Sequence, residues 1–377
     1  MCLSSRSIYR SMASSVVISL LLTLLVCPYA AGLAQHPPAT GDASSCYTRL
    51  FSFGDSLTDA GVVGETFFRR PTGRFSDGRL VVDFISAAEA LRLPLLPPYL
   101  RSKTADDFRQ GANFAVAGAT ALSQEFFKEK GLDPAILPPY SLDLQLEWFN
   151  VVLHLLGSTE QERKDVVANS LFLMGEFGVN DYNFFLFQNR SFIAEIESLV
   201  PRVIEKIQNA VEVLIELGAK TIVVPGSIPM GCIPGYLTMF QSSNPGDYDE
   251  VGCINWLNDF AEHHNRALRS MLKQIPCDPM VTIIYADYYG AILEITRNPL
   301  KHGFSKYGVL IACCGDGGRY NSNSLMSCNA TSVLCPDPSR RISWDGLHYT
   351  EAAYNLVARG VLDGPYAAPS ILSKCRC

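Results

Sequence analysis

The chain has 377 residues, with 31 Lys and Arg against 37 Asp and Glu, for a formal net charge of −6. An acidic chain without a basic block argues against nucleic acid and anionic membrane surfaces as partners. Its twelve cysteines include no Cys-x-x-Cys pair, and no fixed Cys/His spacing supports a metal site.

The first 34 residues read as a leader. Arg6 and Arg10 precede an apolar stretch, Val16 to Val26, that is too short to span a bilayer comfortably; Gly32-Leu33-Ala34 then supplies a small-x-Ala cleavage site. We read 1–34 as a secretory signal peptide, an uncleaved signal anchor being the alternative, and 35–377 as the mature chain. Cutting there removes two arginines and no acids, so −6 becomes −8. Ten cysteines remain once Cys2 and Cys27 leave, and an even number in an exported chain predicts disulfides. Asn189 and Asn329 head Asn-x-Ser/Thr sequons, which predicts exposed, glycosylated loops. About 340 mature residues is long for one domain. Yet no linker, charge run or repeat divides them, and one domain is the expectation.

Leu50 to Phe53 alternates as a buried strand and stops at Gly54-Asp55-Ser56, which places Ser56 on a strand-to-helix turn. The turn-rich Pro71–Gly78 follows, then helical spacing over Leu80–Leu91 and a short strand in Gly111–Ala119. The Phe/Pro-rich residues 124–141 have no clear period. Leu142–Leu156 reads as a helix, Ser170–Met174 as a strand running into Gly178-Val179-Asn180-Asp181, and Phe192–Leu217 as a long helix stopped by Gly218. Thr221–Val224 and Val281–Tyr285 are further strands, Ile254–Leu272 a helix, and a last helix starts near Thr350. Strands alternating with helices imply βαβ units and a mostly parallel sheet. Its carboxyl edge is where open α/β sheets bind ligands.

A hydroxyl at that edge becomes a nucleophile if a base reaches it, and six histidines allow elimination. His36 lies in the N-terminal tail. His154 sits among leucines, His263 and His264 are adjacent on a polar helix segment expected to face solvent, and His302 has no carboxylate close in sequence. His348 does, in Trp344-Asp345-Gly346-Leu347-His348. Asp345 can hold one ring nitrogen and leave the other basic towards Ser56. The Ser56 and Gly118 N–H groups and the Asn180 amide are candidate oxyanion donors. Taken singly, each residue has a structural alternative: Ser56 or Asp55 as a helix cap, Asp345 as a turn cap, Gly118 as a packing glycine, Asn180 as a turn residue. Tyr182 to Phe185 and the 124–141 stretch line either a substrate rim or the core.

Four blocks occur in order: Phe51–Asp59 around Gly-Asp-Ser-Leu, Asn113–Ala119, Gly178–Asp181 and Asp345–His348. Together with Gly73–Gly78 and Ala312–Gly315 they resemble the plant GDSL esterase/lipases of the SGNH hydrolase superfamily. Only Ser52 and Thr58 depart mildly from that pattern. The resemblance implies a flavodoxin-like three-layer α/β/α sandwich with a mostly parallel five-stranded sheet. It implies Ser56 and His348 as catalytic residues, Asp345 orienting the imidazole, an oxyanion hole of Ser56, Gly118 and Asn180, and no metal or organic cofactor. The expected function is a secreted, monomeric carboxylic-ester hydrolase, in the extracellular space or cell wall, with the Golgi lumen or vacuole as alternatives. Its expected substrates are short-acyl, especially acetyl, esters of wall polysaccharide such as xylan, or esters of plant secondary metabolites. Acyl transfer, long-chain lipolysis and non-catalytic carbohydrate binding are the rivals. Local bridges among Cys313, Cys314, Cys328 and Cys335, and a Cys232–Cys253 bridge, fit the spacing, with Cys375 and Cys377 at the tail.

Overall fold

Residues 50–52, 171–173 and 222–224 are buried on both faces, which marks their strands as central ones of a covered parallel sheet. The structure, a computed structural model, describes residues 46–61, 72–88, 91–133, 139–187, 193–276, 278–323, 328–329 and 331–374. The leader, His36, Asn189, Cys277, Cys375 and Cys377 lie outside them. Five parallel strands, Arg49–Ser52 (β1), Gly111–Asn113 (β2), Ser170–Leu173 (β3), Thr221–Pro225 (β4) and Thr282–Ala286 (β5), are ordered β2-β1-β3-β4-β5. Cys314–Gly315 (β6) and Val333–Leu334 (β7) form a separate antiparallel ribbon.

Two sets of helices cover the sheet. Val81–Ser86 (α1), Tyr288–Arg297 (α9) and Glu351–Leu362 (α10) pack on one another. Leu142–Leu156 (α3), Glu160–Ala168 (α4), Val179–Leu186 (α5), Ile193–Glu216 (α6) and Asn255–Leu272 (α8) form the second set, giving an α/β/α sandwich. Gln124–Glu129 (α2) and Pro234–Met239 (α7) are short helices in the connections. The long α6 forms because Ile196, Leu199, Val200, Val203, Ile207, Val211 and Leu214 recur at helical spacing and bury one stripe. It ends where Gly218 takes φ +106°. Thr350 caps α10 by accepting from the Ala353 N–H. No helix among the described residues is long and apolar enough to cross a membrane.

The aromatic residues of β1 build the core beneath the site. Phe51 and Phe53 pack with Phe114, Phe149 and Phe172 at ring-centroid separations of 5.1–6.4 Å. Tyr182, Phe127 and Phe185 are also buried, so core packing claims most of the aromatics that sequence left between core and rim. Helices α2, α4, α5, α7 and α9 are not legible from period alone. The turn after β1 also differs from the expectation: residues 56–58 make a turn held by Thr58 and Asp59 N–H groups on the Asp55 carbonyl, not a helix start.

At the carboxyl edge the ends of β1 and β3 touch. Gly175 has φ +71°, and a Cβ there would lie 1.9 Å from the Phe53 carbonyl oxygen and 2.6 Å from Gly54 Cα. Only glycine permits this approach. Gly175→Ala is therefore expected to destabilise the protein by at least about 1–3 kcal/mol, read as a lower denaturant midpoint; an unchanged midpoint would show that the strand ends have room to part.

Candidate active site

Ser56 is delivered by a doubly clamped strand end. On α3 the fully buried Gln145 accepts the Gly54 N–H (2.9 Å) and donates to the Gly54 carbonyl (2.8 Å). Asp55 turns the chain by accepting the Leu57 N–H at 2.9 Å. Ser56 Oγ then lies 2.8 Å from His348 Nε2.

Asp345 and His348 sit on a turn before α10. Asp345 Oδ1 accepts the backbone N–H groups of Leu347 and His348, both at 2.8 Å, and both carboxylate oxygens lie 2.9 Å from His348 Nδ1. A carboxylate only accepts, so the proton of the neutral imidazole resides on Nδ1, and Nε2 is left to accept the Ser56 O–H. Burial works against the Asp345 charge, but the imidazole beside it, by charge and hydrogen bond, and the two N–H groups hold its carboxyl below the usual range.

Two disulfide-closed loops brace this turn. Cys313–Cys335 and Cys314–Cys328 join the β6/β7 ribbon, and Cys314 N–H donates to the Trp344 carbonyl at 2.7 Å. Cys232–Cys253 closes the other loop, from which Gly235 N–H donates to the Gly346 carbonyl at 2.8 Å. A third brace is the 72–80 loop. Arg74 grips Asp83 of α1 with two hydrogen bonds, and Asp77 accepts the Glu351 N–H of α10. Between them Phe75 stacks on the His348 ring, with centroids 4.6 Å apart and planes 21° apart.

Asn180, in the first turn of α5, lines one small cavity with Ser56 and His348. Its Nδ2 donates to Asp55 Oδ2 at 2.9 Å and to the Ala119 carbonyl at 3.1 Å. Gly118, next to Ala119, has φ +78°. Neither its N–H nor that of Ser56 donates to an acceptor among the described residues. The structure thus brings Ser56, Asp345, His348 and Asn180 together and ties Gly118 to them through Ala119. Asn329 is exposed, its side chain accepting from Thr331, while Asn189 lies outside the described residues.

Three buried carboxyls lie behind Ser56. Burial pushes Asp55 up to about 6, against the Leu57 N–H that it accepts. Burial pushes Asp181 up to about 7, against the Leu122 and Ala121 N–H groups that it accepts at 2.9 Å. Glu176 is raised well above the usual range by burial and by the Asp55 charge. Among the described residues no group of three or more His, Cys, Asp or Glu is arranged to hold a metal ion.

The other histidines do not serve Ser56. His154 contacts the Asn150 carbonyl and His302 lies 3.2 Å from Glu294. His264, expected in solvent, is 1% exposed and hydrogen-bonded to Tyr182 at 2.7 Å, because α8 turns this position onto α5 and α6 while His263 stays outside. Sequence reasoning missed Gln145, Phe75 and Glu176. Phe75 lay inside a recognised block without a role, whereas Gln145 and Glu176 carried no spacing signal.

One cavity lies at Ser56 and His348, and a second is walled by Phe75, the ring stacked on His348. The one holding Ser56 and Asn180 is about 20 Å³ and is walled by Glu176, Asn183, Tyr236 and Leu347. The other, about 380 Å³, is lined by Phe75, Tyr99, Arg101, Phe114 and Val116.

The sequence profile of the GDSL-like Lipase/Acylhydrolase family matches residues 50–361, and this chain belongs to that family. Among its curated relatives is a GDSL esterase/lipase of Arabidopsis thaliana, 44% identical over 349 residues, 87% of this chain and 85% of the relative. A second from the same plant is 45% identical over 349 residues, 87% of each chain. A Brassica napus protein named sinapine esterase is 45% identical over 350 residues, 87% of this chain and 88% of its own. The chain is a carboxylic ester hydrolase of the plant GDSL type.

The buried acids make stability pH-dependent. Asp181 and Glu176 hold protons more tightly folded than unfolded, so the stability they contribute is complete at low pH and is lost as pH rises through their raised values. His264, pushed down to about 4 by burial, acts oppositely, but only below its ordinary 6.5. The melting temperature should therefore climb as pH falls from about 8 to about 6.5; calorimetry showing a flat or falling trend there would contradict these protonation states.

Proposed function

We propose that this protein is a secreted serine esterase in which Ser56 attacks the ester carbonyl while His348 takes its proton and Asp345 orients the imidazole. The observation that carries the reading is the 2.8 Å contact between Ser56 Oγ and His348 Nε2. The Ser56 and Gly118 N–H groups and the Asn180 amide receive the oxyanion, and the Asn180 N–H now on the Ala119 carbonyl swings to be shared with it. His348 then protonates the departing alcohol. Water, deprotonated by the same imidazole, cleaves the acyl-enzyme and restores Ser56. No step calls for a metal or organic cofactor.

The cavity beside Ser56 has room for about one water-sized group. That favours a short acyl group, acetyl above all, over a long chain. The larger cavity walled by Phe75 and Tyr99 is our candidate for the alcohol part, a wall polysaccharide such as xylan or an aromatic secondary metabolite. The relative named sinapine esterase supports the second of these. The leader at 1–34, the three disulfides among the described residues and the exposed sequon at Asn329 support export to the extracellular space or cell wall, with the mature chain starting near 35.

Ser56→Ala should abolish turnover of p-nitrophenyl acetate with the thermal transition intact; near-normal turnover would remove Ser56 from the chemistry. Asn180→Ala should lower kcat by about 10²–10³, the scale of a lost oxyanion donor, whereas an effect on KM alone would refute that role. In an ester panel, acetate release from p-nitrophenyl acetate and acetylated xylan should exceed palmitate release. Preferential cleavage of palmitate would favour a lipase, ester exchange with added alcohols an acyltransferase, and no labelling by a fluorophosphonate a binding protein.

A further inference from the structure

Glu176 lies on the connection from β3 to α5 with 0% of its surface exposed. Neither of its carboxyl oxygens is met by a hydrogen-bond donor among the described residues, although it forms a wall of the cavity that Ser56, Asn180 and His348 share. The Val179 N–H approaches without reaching hydrogen-bond geometry. The titratable groups around it are Asp55 from the β1 turn, Asp181 and Tyr182 of α5, Tyr236 of α7, Tyr288 of α9, Tyr349 ahead of α10, and His348, which lines the same cavity. Of these only the His348 imidazole can carry a positive charge, and Asp345, not Glu176, is the carboxylate bonded to it. An ionised Glu176 would stand unsolvated and undonated beside a second carboxylate, which is prohibitively costly. As a neutral acid it has one O–H to give, and Asp55, which lines the same small cavity, is the carboxylate it would meet.

We infer that Glu176 is a positioning residue for ester hydrolysis, a carboxylic acid whose O–H donates to the Asp55 carboxylate and so holds the anchor from which Asn180 presents its amide to the oxyanion. Asp55 then gathers three donors: the Leu57 N–H, the Asn180 Nδ2–H at 2.9 Å and the Glu176 O–H. That set favours the Asp55 charge against the burial that raises its carboxyl to about 6. A charged Asp55 in turn selects the rotamer of Asn180 in which nitrogen rather than oxygen faces Asp55 and Ala119, an orientation that a flipped amide would replace by repulsion of the oxyanion. Without the Glu176 proton, Asp55 has to take up one of its own from solvent, and its hold on Asn180 weakens. The inference rests on the reading of Asn180 as an oxyanion donor.

The test compares Glu176→Gln, which keeps an N–H donor in place of the acid O–H, with Glu176→Leu, which keeps bulk but donates nothing. Both are made in the full chain and assayed with p-nitrophenyl acetate from pH 5 to 9. The expected result is a fall in kcat of about 10–100-fold for the Leu variant, part of the range for a lost oxyanion donor, with KM nearly unchanged and the acid limb moved to higher pH. The Gln variant should recover most of kcat and lose any alkaline limb that comes from ionisation of Glu176. Wild-type kcat in the Leu variant, or equal losses in both variants, overturns the inference. If the Leu variant does not fold, the Gln variant decides: retained kcat supports the inference, and a large loss of kcat at unchanged melting temperature overturns it. An Asn180→Ala variant run alongside separates the two readings. Unchanged kcat there sinks the oxyanion assignment itself, whereas a large loss there with silent Glu176 variants sinks only this inference.

Discussion

A hydrogen bond of 2.8 Å joins Ser56 Oγ to His348 Nε2 across 292 positions of chain, and it constrains both backbones to within a few tenths of an ångström. Neither residue can achieve that through its own neighbours. On the serine side, the central position of β1 in the sheet, the two-way grip of Gln145 on Gly54 and the glycine-to-glycine contact with Gly175 leave the turn little freedom. On the histidine side, Asp345 binds its own turn through two N–H groups, and the ribbon of β6 and β7 and the loop of α7 hold that turn from outside. The 72–80 loop closes the frame by gripping α1 and α10 at once and laying Phe75 along the imidazole. Three disulfides sit in the segments that carry the histidine turn, where irregular backbone has no sheet to support it.

The carboxyls at the site divide by what surrounds them. Asp345 has an imidazole and two N–H donors, and its charge is favoured despite burial. Asp181 has two N–H donors, while Glu176 has no donor in hydrogen-bond geometry among the described residues, and burial keeps both protonated further up the pH scale. The arrangement limits the negative charge lying beneath the position where an oxyanion would form. It places the one strongly favoured carboxylate on the far nitrogen of the imidazole. Similar side chains thus do different electrical work because hydrogen-bond donors, not burial alone, decide which of them ionises.

Much of this was legible in the residue order. The five strands, the helices at 142–156, 193–216 and 255–272, the pairing of Asp345 with His348, and the Cys232–Cys253 bridge all follow from local period, turn chemistry or short separation. The short helices α2, α4, α5, α7 and α9 were not legible, since a few turns with mixed burial carry too weak a period. His264 was misplaced because a polar neighbourhood in sequence does not reveal that one side of α8 faces α5 and α6.

What the sequence alone determined is which candidate groups the chain carries: a serine, an imidazole with its carboxylate, an amide and a glycine, each at a strand end or just before a helix, because short motifs encode local geometry. What only the tertiary structure decided is how those groups are held and charged. Gln145 reaches Gly54 from 91 positions away, Phe75 reaches His348 from another loop, and Glu176 meets Asp55 only where β3 runs beside β1. Orientation and protonation depend on the distance and solvation of groups that are remote in sequence, and those quantities come into being only when the sheet brings its carboxyl ends together.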